Sequence, residues 1–354
     1  MSGLNEKIEK VINQAIDEKV FPGASVGYIL GGATQLLSFG RLTYADNSRL
    51  VTPGTLYDAA SVTKVIPTNT LILMLLDKGK LKLSDKVAVY LPELTRSDQK
   101  EITIWHLLTY TATPKLEFNL STYSLSVPAD ILAVVFNAPM MYTPGTKFLY
   151  NNTASLWLGM VIERITGERL DVIAARWLFR PLGMSSTTFD VDVSMDVAPT
   201  EIDGRGVVQY EPHDETAWAL KRQGMVTGIA GLFTTAHDLL RCSEMLLNFG
   251  TIEDHRYLSR NLVEMININQ IPALEQPTGL GWWLEQPDYF GTEIASTSYG
   301  MTGFSGALLL IDPIEKRALV MLCNRTYPTR PHDRSAINAV RRELAGLIMP
   351  ARPQ

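Results

Sequence analysis

Two stretches of this 354-residue chain place a serine three residues ahead of a lysine. One helical turn apart, an amine can reach the hydroxyl and take its proton, which makes serine a nucleophile. Ser97-Asp98-Gln99-Lys100 lies in a polar, charge-rich stretch where a solvated ammonium keeps its proton. Ser61-Val62-Thr63-Lys64 instead leads into an apolar segment ending near Lys78, which places Ser61 at a helix start. Free backbone N–H groups and the helix dipole can there bind a developing oxyanion, and burial would lower the lysine pKa as a general base requires. The alternative is that Ser61 is only an N-cap. Pro67 falls in the second turn and removes the bond to the Thr63 carbonyl, so a local kink or a later regular start is expected.

Tyr150-Asn151-Asn152 is the only Y-x-N among 13 tyrosines, between the turn Pro144-Gly145 and a helix expected from about Thr153. A phenol entering a helix there can point into a cleft, where a nearby ammonium would favour phenolate and let it shuttle a proton. Asn152 offers an amide donor and an acceptor to a substrate carbonyl or to the lysine. A packed tyrosine beside a capping asparagine is the alternative.

Other chemistries lack their residues. There is no H-E-x-x-H, C-x-x-C or Walker loop, and Gly279-Leu280-Gly281 lacks the third glycine of a dinucleotide fingerprint. No metal or cofactor is expected. Gly303-Phe304-Ser305-Gly306-Ala307 resembles a nucleophile elbow but ends in Ala307 and leads into a strand. Cys242 and Cys323 sit among apolar neighbours and read as buried thiols. Lys plus Arg number 32 against 37 acids, a net charge of −5, so nucleic acid is not an expected partner. No apolar run approaches the ~20 residues that span a bilayer, and the first 20 residues read as an amphipathic surface helix, not a signal peptide. With Met1 as the natural start, a cytoplasmic protein without membrane contact is expected.

The elements that must position these residues follow from periodicity. Residues 24–30 and 34–39 read as two strands joined by Gly31-Gly32, and 307–311 and 318–323 as two more, before a last helix carrying Ile337, Val340 and Leu344. Between them the pattern is helical over 70–78, 104–110, 129–136, 153–165, 170–179 and 237–248. The expected fold is α+β: an antiparallel sheet from both chain ends, flanked by the terminal helices, with a mostly helical insertion. The expected division is 1–66 with 275–354 against 67–274, and their junction is an expected cleft.

Ser61-Val62-Thr63-Lys64, Tyr150-Asn151-Asn152 and Thr302-Gly303, in that order, resemble the serine β-lactamase-like superfamily, in its class C β-lactamase, D-Ala-D-Ala carboxypeptidase and family VIII esterase branch. Thr143-Pro144-Gly145, Ala230-Gly231-Leu232-Phe233 and Gly279-Leu280-Gly281-Trp282 continue the likeness over nearly the full length. The resemblance implies that Ser61 is acylated, that Lys64 and Tyr150 handle its proton, and that Asn152 holds the substrate carbonyl side. It also implies an oxyanion hole from the Ser61 and Phe304 N–H groups, with Met301, Thr302, Gly303 and Phe304 along the substrate. This chain has Met301 where the family usually has lysine or histidine before Thr-Gly, which removes the usual partner of a substrate carboxylate. Arg325 and Arg330 are candidate substitutes, and core packing is the plain alternative for Met301. The expected function is therefore a serine carboxylesterase acting on small neutral esters. The alternatives are an amide hydrolase of the carboxypeptidase or β-lactamase type, and a ligand sensor without turnover.

Overall fold

The computed structural model describes residues 2–116 and 130–351. Helix α1 (Ser2–Asp17) forms because Ile8, Val11, Ile12 and Ala15 recur on one face, and all four are buried while Glu6, Lys7 and Glu9 stay in water. Strands β1 (Gly23–Leu30) and β2 (Ala33–Gly40) pair through the two-residue loop Gly31-Gly32. Both loop glycines have positive φ, 60° and 79°, the backbone that the twist of such a hairpin demands.

The other chain end supplies β3 (Trp283–Leu284), β4 (Tyr299–Thr302), β5 (Leu308–Asp312) and β6 (Arg317–Cys323). The sheet runs β2-β1-β6-β5-β4-β3, every neighbour antiparallel. The two chain ends meet at β1 and β6, from Ala24 opposite Cys323 to Ile29 opposite Ala318. Both strands are almost wholly buried, as central strands with covered faces must be. The fold is thus α+β, with an antiparallel sheet from both ends of the chain, as the periodicity indicates.

Five further helices matter to the site: α2 (Thr70–Asp77), α3 (Asn152–Thr166), α4 (Glu215–Lys221), α5 (Ala236–Leu247) and α6 (Ser335–Ile348). The expected helices at 104–110 and 129–136 occur as Ile104–Leu108 and Ile131–Asn137, Ala129 lying outside the described residues. That at 170–179 is Leu170–Ala174 continued by a wider π turn, Ala175–Phe179. Helices α1 and α6 pack together over one sheet face, where Tyr28 Oη donates to Asn5 Oδ1 at 2.6 Å. On the other face Gly27 lies under Leu240 and Ala236 of α5, so a helix from the middle of the chain completes the sheet's cover. Among the described residues no helix is long and apolar enough to cross a membrane.

The seating of α5 depends on its first turn. Thr235 is its N-cap, and its hydroxyl accepts the Asp238 N–H at 3.2 Å. Replacing it removes one of the few acceptors available to the first-turn donors. Thr235→Ala should lower the unfolding free energy by about 1 kcal/mol in urea titration. A midpoint equal to wild type would show that the cap contributes nothing.

Candidate active site

The short strand Tyr57–Asp58 pairs with Phe233–Thr234 and delivers the chain into a turn at Ala59 and Ala60. Ala60 takes a φ of +50°, and its N–H donates to Asp58 Oδ1 at 2.8 Å, which holds this costly conformation. Ser61 follows, directly before the first helical residues. The Pro67 expectation resolves locally: Lys64–Asn69 forms a π turn in which Ile66 (φ −128°, ψ 109°) leaves helical space, as a residue before proline tends to. Regular helix begins only at Thr70.

Lys64 is buried, and its Nζ donates to Ser61 Oγ at 2.9 Å and to the Ile229 carbonyl at 2.9 Å. Burial disfavours the ammonium and pulls its pKa down to about 8, although the Asp214 charge works to raise it. Tyr150 stands beside this pair, its ring centroid 5.3 Å from Lys64 Nζ. Its phenol pKa is raised, burial being the main cause, so it is a neutral phenol near pH 7. This corrects the expectation of a phenolate. The lysine sits over the ring face, and burial outweighs the help that Ser61 gives the charged form.

Asn152 opens α3, while the cap is its neighbour Asn151, whose Oδ1 accepts the Ala154 N–H at 2.9 Å. Asn152 is thereby left to face the cleft, with Nδ2 3.5 Å from Asp214 Oδ2. The cleft measures about 430 Å³ and is lined by Ser61, Tyr150, Asn152, Thr302, Gly303 and Phe304, among others.

Met301 is not among them. Side chains alternate along a strand, and in β4 Thr302 faces the cleft while Met301, opposite Leu309 in the register, is fully buried. Its expected place along the substrate is corrected: it is a core residue. Gly303 matters for a different reason, because a Cβ there would come 2.6 Å from the Ala59 carbonyl. Only glycine lets the β4–β5 turn close against the turn at Ala59 and Ala60.

Cations enter the cleft from elsewhere. Arg325, Arg330, Arg334 and Arg341 all line it. Arg330 is paired to Glu201 and, at 2.7 Å, to Glu215. Arg325 is 3% exposed; its Nε donates to the Phe304 carbonyl at 2.8 Å, and neither Nη has a partner. Of the two arginines singled out from sequence, Arg325 is buried without an ion pair and Arg330 is paired.

Sequence reasoning missed Asp58, His213, Asp214, Arg334 and Arg341. Asp58 Oδ2 accepts from the His213 backbone N–H at 2.9 Å and lies 3.1 Å from its Nδ1. Burial would lower the imidazole pKa, but the Asp58 charge and hydrogen bond reverse this and raise it. No spacing signal could have linked them, as they lie 155 positions apart in the chain. Ser97 and Lys100 of the other S-x-x-K are both exposed and outside the cleft. Cys242 and Cys323 are free, buried thiols, each pushed up to about 12, chiefly by burial. Among the described residues no group of three or more His, Cys, Asp or Glu could hold a metal ion.

A family model described as Beta-lactamase matches residues 8–342. A protein of Escherichia coli (strain K12) named "Putative D-alanyl-D-alanine carboxypeptidase" is 29% identical over 310 residues, covering 78% of this chain and 70% of that one. Two solved structures share the fold. One is EstCE1, described as a hydrolase with promiscuous acyltransferase activity, at TM-score 0.78 and 22% identity over 97% of this chain and 98% of the other. The second is the D-alanine carboxypeptidase AmpC from Burkholderia cenocepacia, at TM-score 0.73 and 21% identity over 98% of this chain and 99% of the other.

The burial of Met301 makes its substitution a test of placement. Met301→Lys should put an ammonium into the apolar layer and destabilise the fold by roughly 3 kcal/mol, read as a lower urea midpoint. The ratio of kcat/KM for an anionic over a neutral substrate should stay as in wild type. A raised ratio with unchanged stability would return position 301 to the cleft.

Proposed function

This chain belongs to the beta-lactamase family and is a serine hydrolase, and from that premise we propose that it cleaves small anionic esters or amides through an acyl group carried on Ser61. The 2.9 Å contact between Lys64 Nζ and Ser61 Oγ, with a lysine pKa of about 8, carries this reading. At pH 7 about a tenth of such a lysine is neutral and able to accept a proton. Neutral Lys64 takes the Oγ proton as Oγ bonds to the substrate carbonyl carbon. Among the described residues neither the Ser61 nor the Phe304 N–H meets an acceptor, so both are free to bind the oxyanion. Collapse of the adduct returns the proton to the leaving group, with Tyr150 as the neutral phenol that relays it. Water then cleaves the acyl ester by the same route, and Asn152 orients the carbonyl side.

The preference for an anion rests on Arg325. Arg325 lines the cleft, and a guanidinium nearly out of water with both Nη groups unpartnered is costly unless a carboxylate meets it. The case for neutral esters rested on Met301, which lies in the core. A peptide ending in D-alanine, the substrate class in the name of the E. coli relative, carries such a carboxylate.

Ser61→Ala should abolish both labelling by a fluorophosphonate, read by intact mass, and ester hydrolysis, while Ser97→Ala leaves both intact. Labelling that survives loss of Ser61 would end the proposal. Because the neutral amine is the working form, kcat/KM should rise with pH along a limb near pH 8. Asp214 holds that pKa up, so Asp214→Asn, which can still cap α4 through its side-chain oxygen, should move the limb to lower pH. A limb that stays put or moves upward would exclude Lys64 as the titrating base.

A further inference from the structure

Phe304 stands at the centre of an unusual wall. The guanidinium carbons of Arg325, Arg330 and Arg334 lie 4.9, 5.5 and 5.1 Å from its ring centroid, and the His213 ring stacks on it at 5.8 Å. Arg341 lines the same cleft from α6. The carboxylates paired with these five cations are Asp58, bonded to His213, and Glu201 and Glu215, which hold Arg330. Asp214 also lines the cleft, near Asn152, and among the described residues Arg325, Arg334 and Arg341 make no ion pair.

The free donors are as unevenly placed as the charge. Arg341 spends Nη2 on the Gly303 and Ala307 carbonyls at 2.7 and 3.0 Å and Nη1 on Asn338, so it braces the turn. Arg325, 3% exposed, leaves both Nη groups buried and without a hydrogen-bond partner. Arg334 is exposed and makes no ion pair among the described residues. The cleft lining therefore holds two guanidinium groups without an ion pair on one aromatic ring, Arg325 buried and Arg334 exposed, no more than about 10 Å apart through that ring's centroid.

We propose that this wall is a subsite for two carboxylates of one substrate, Arg325 taking one and Arg334 the other. The assignment rests on the acyl-hydrolase reading of the cleft and names its substrate class: an ester or amide bearing a short dicarboxylate, of the size of a four-carbon diacid. A planar fork matches a carboxylate through two parallel hydrogen bonds, and two separated forks suit two such groups better than one compact tetrahedral anion. Phe304 between them offers an apolar floor to the carbons that join the carboxylates. A single carboxylate would leave one fork and one charge unanswered.

The test uses binding, so that it does not depend on turnover. Ser61→Ala protein is titrated calorimetrically with succinate, with monomethyl succinate, which is the same skeleton with one charge, and with inorganic phosphate. Succinate should bind about tenfold or more tightly than the monoester, the increment of one further charge-assisted contact. Added salt should shrink the gap. Arg325→Gln and Arg334→Gln should each remove it, whereas Arg260→Gln, the same loss of charge on the far surface, should leave it. Arg334 is exposed, so that variant keeps the fold if Arg325→Gln does not. Equal affinity for the diacid and the monoester, tighter binding of phosphate, or an equal loss in Arg260→Gln would overturn the proposal. Labelling of wild-type protein by a fluorophosphonate reports separately on the acyl-hydrolase reading.

Discussion

Asp58 is the atom group on which the site's three walls converge. One carboxylate oxygen fixes the Ala60 N–H at the turn before Ser61, and the other binds both the backbone and the ring of His213. Its own carbonyl accepts the Ser305 hydroxyl at 2.7 Å, next to Phe304. One buried residue thus spaces the segment before Ser61, the loop carrying Asp214 and the β4–β5 turn. A lone buried carboxylate would be expelled by its desolvation cost, and it persists because His213 answers it. Burial works to raise the Asp58 pKa, and the His213 charge with the hydrogen bonds from His213 and Ala60 lowers it overall. Each partner thus favours the charged form of the other, and the contact between them holds the three segments in place.

The same competition between burial and charge decides the reactive groups. Lys64 and Tyr150 share a wall, yet their pKa values move in opposite directions, because burial penalises the ammonium of one and the phenolate of the other. The result beside Ser61 is a lysine whose neutral, proton-accepting form is within reach near pH 7 and a phenol that keeps its proton. Asp214 opposes this on the lysine and reinforces it on the tyrosine. Its position, near Asn152 and at the start of α4, sets how far the balance goes.

Much of this was legible in the sequence, and the failures have physical causes. The hairpin through Gly31-Gly32 and the strands of β5 and β6 announce themselves by apolar runs bounded by turns, and β1 and β6 pair as the two almost wholly buried strands. Ser61 with Lys64, and Tyr150 with Asn152, are local spacings, so they could be read without coordinates. Strands β3 and β4, at two and four residues, are too short to show a period. Met301 was misread because a motif names positions and not faces; knowing that Thr302 faces the cleft would have sent Met301 to the core. The cations were half visible: Arg325 and Arg330 stood out after the last strand, but only packing shows that Glu201 and Glu215 consume Arg330. Asp58 with His213, and Arg334 with Arg341, depend on contacts between distant segments and leave no local pattern.

Moving the cation from the strand to the far side of Phe304 changes what it can influence. A charge at position 301 would sit next to Thr302 on β4, inside the wall that carries Thr302 and Gly303. Where they stand, Arg325 and Arg334 lie across an aromatic ring, and Arg341 is tied to the carbonyls of the turn. The charges that act on Lys64 then come down to burial against Asp214, with no arginine among the causes of its shift. Burial and the nearby Arg334 charge lower the Arg325 pKa, while burial against Asp214 brings that of Lys64 to about 8. An anion at the arginines, on the proposed reading, would answer the first of these costs, as Asp214 already answers part of the second.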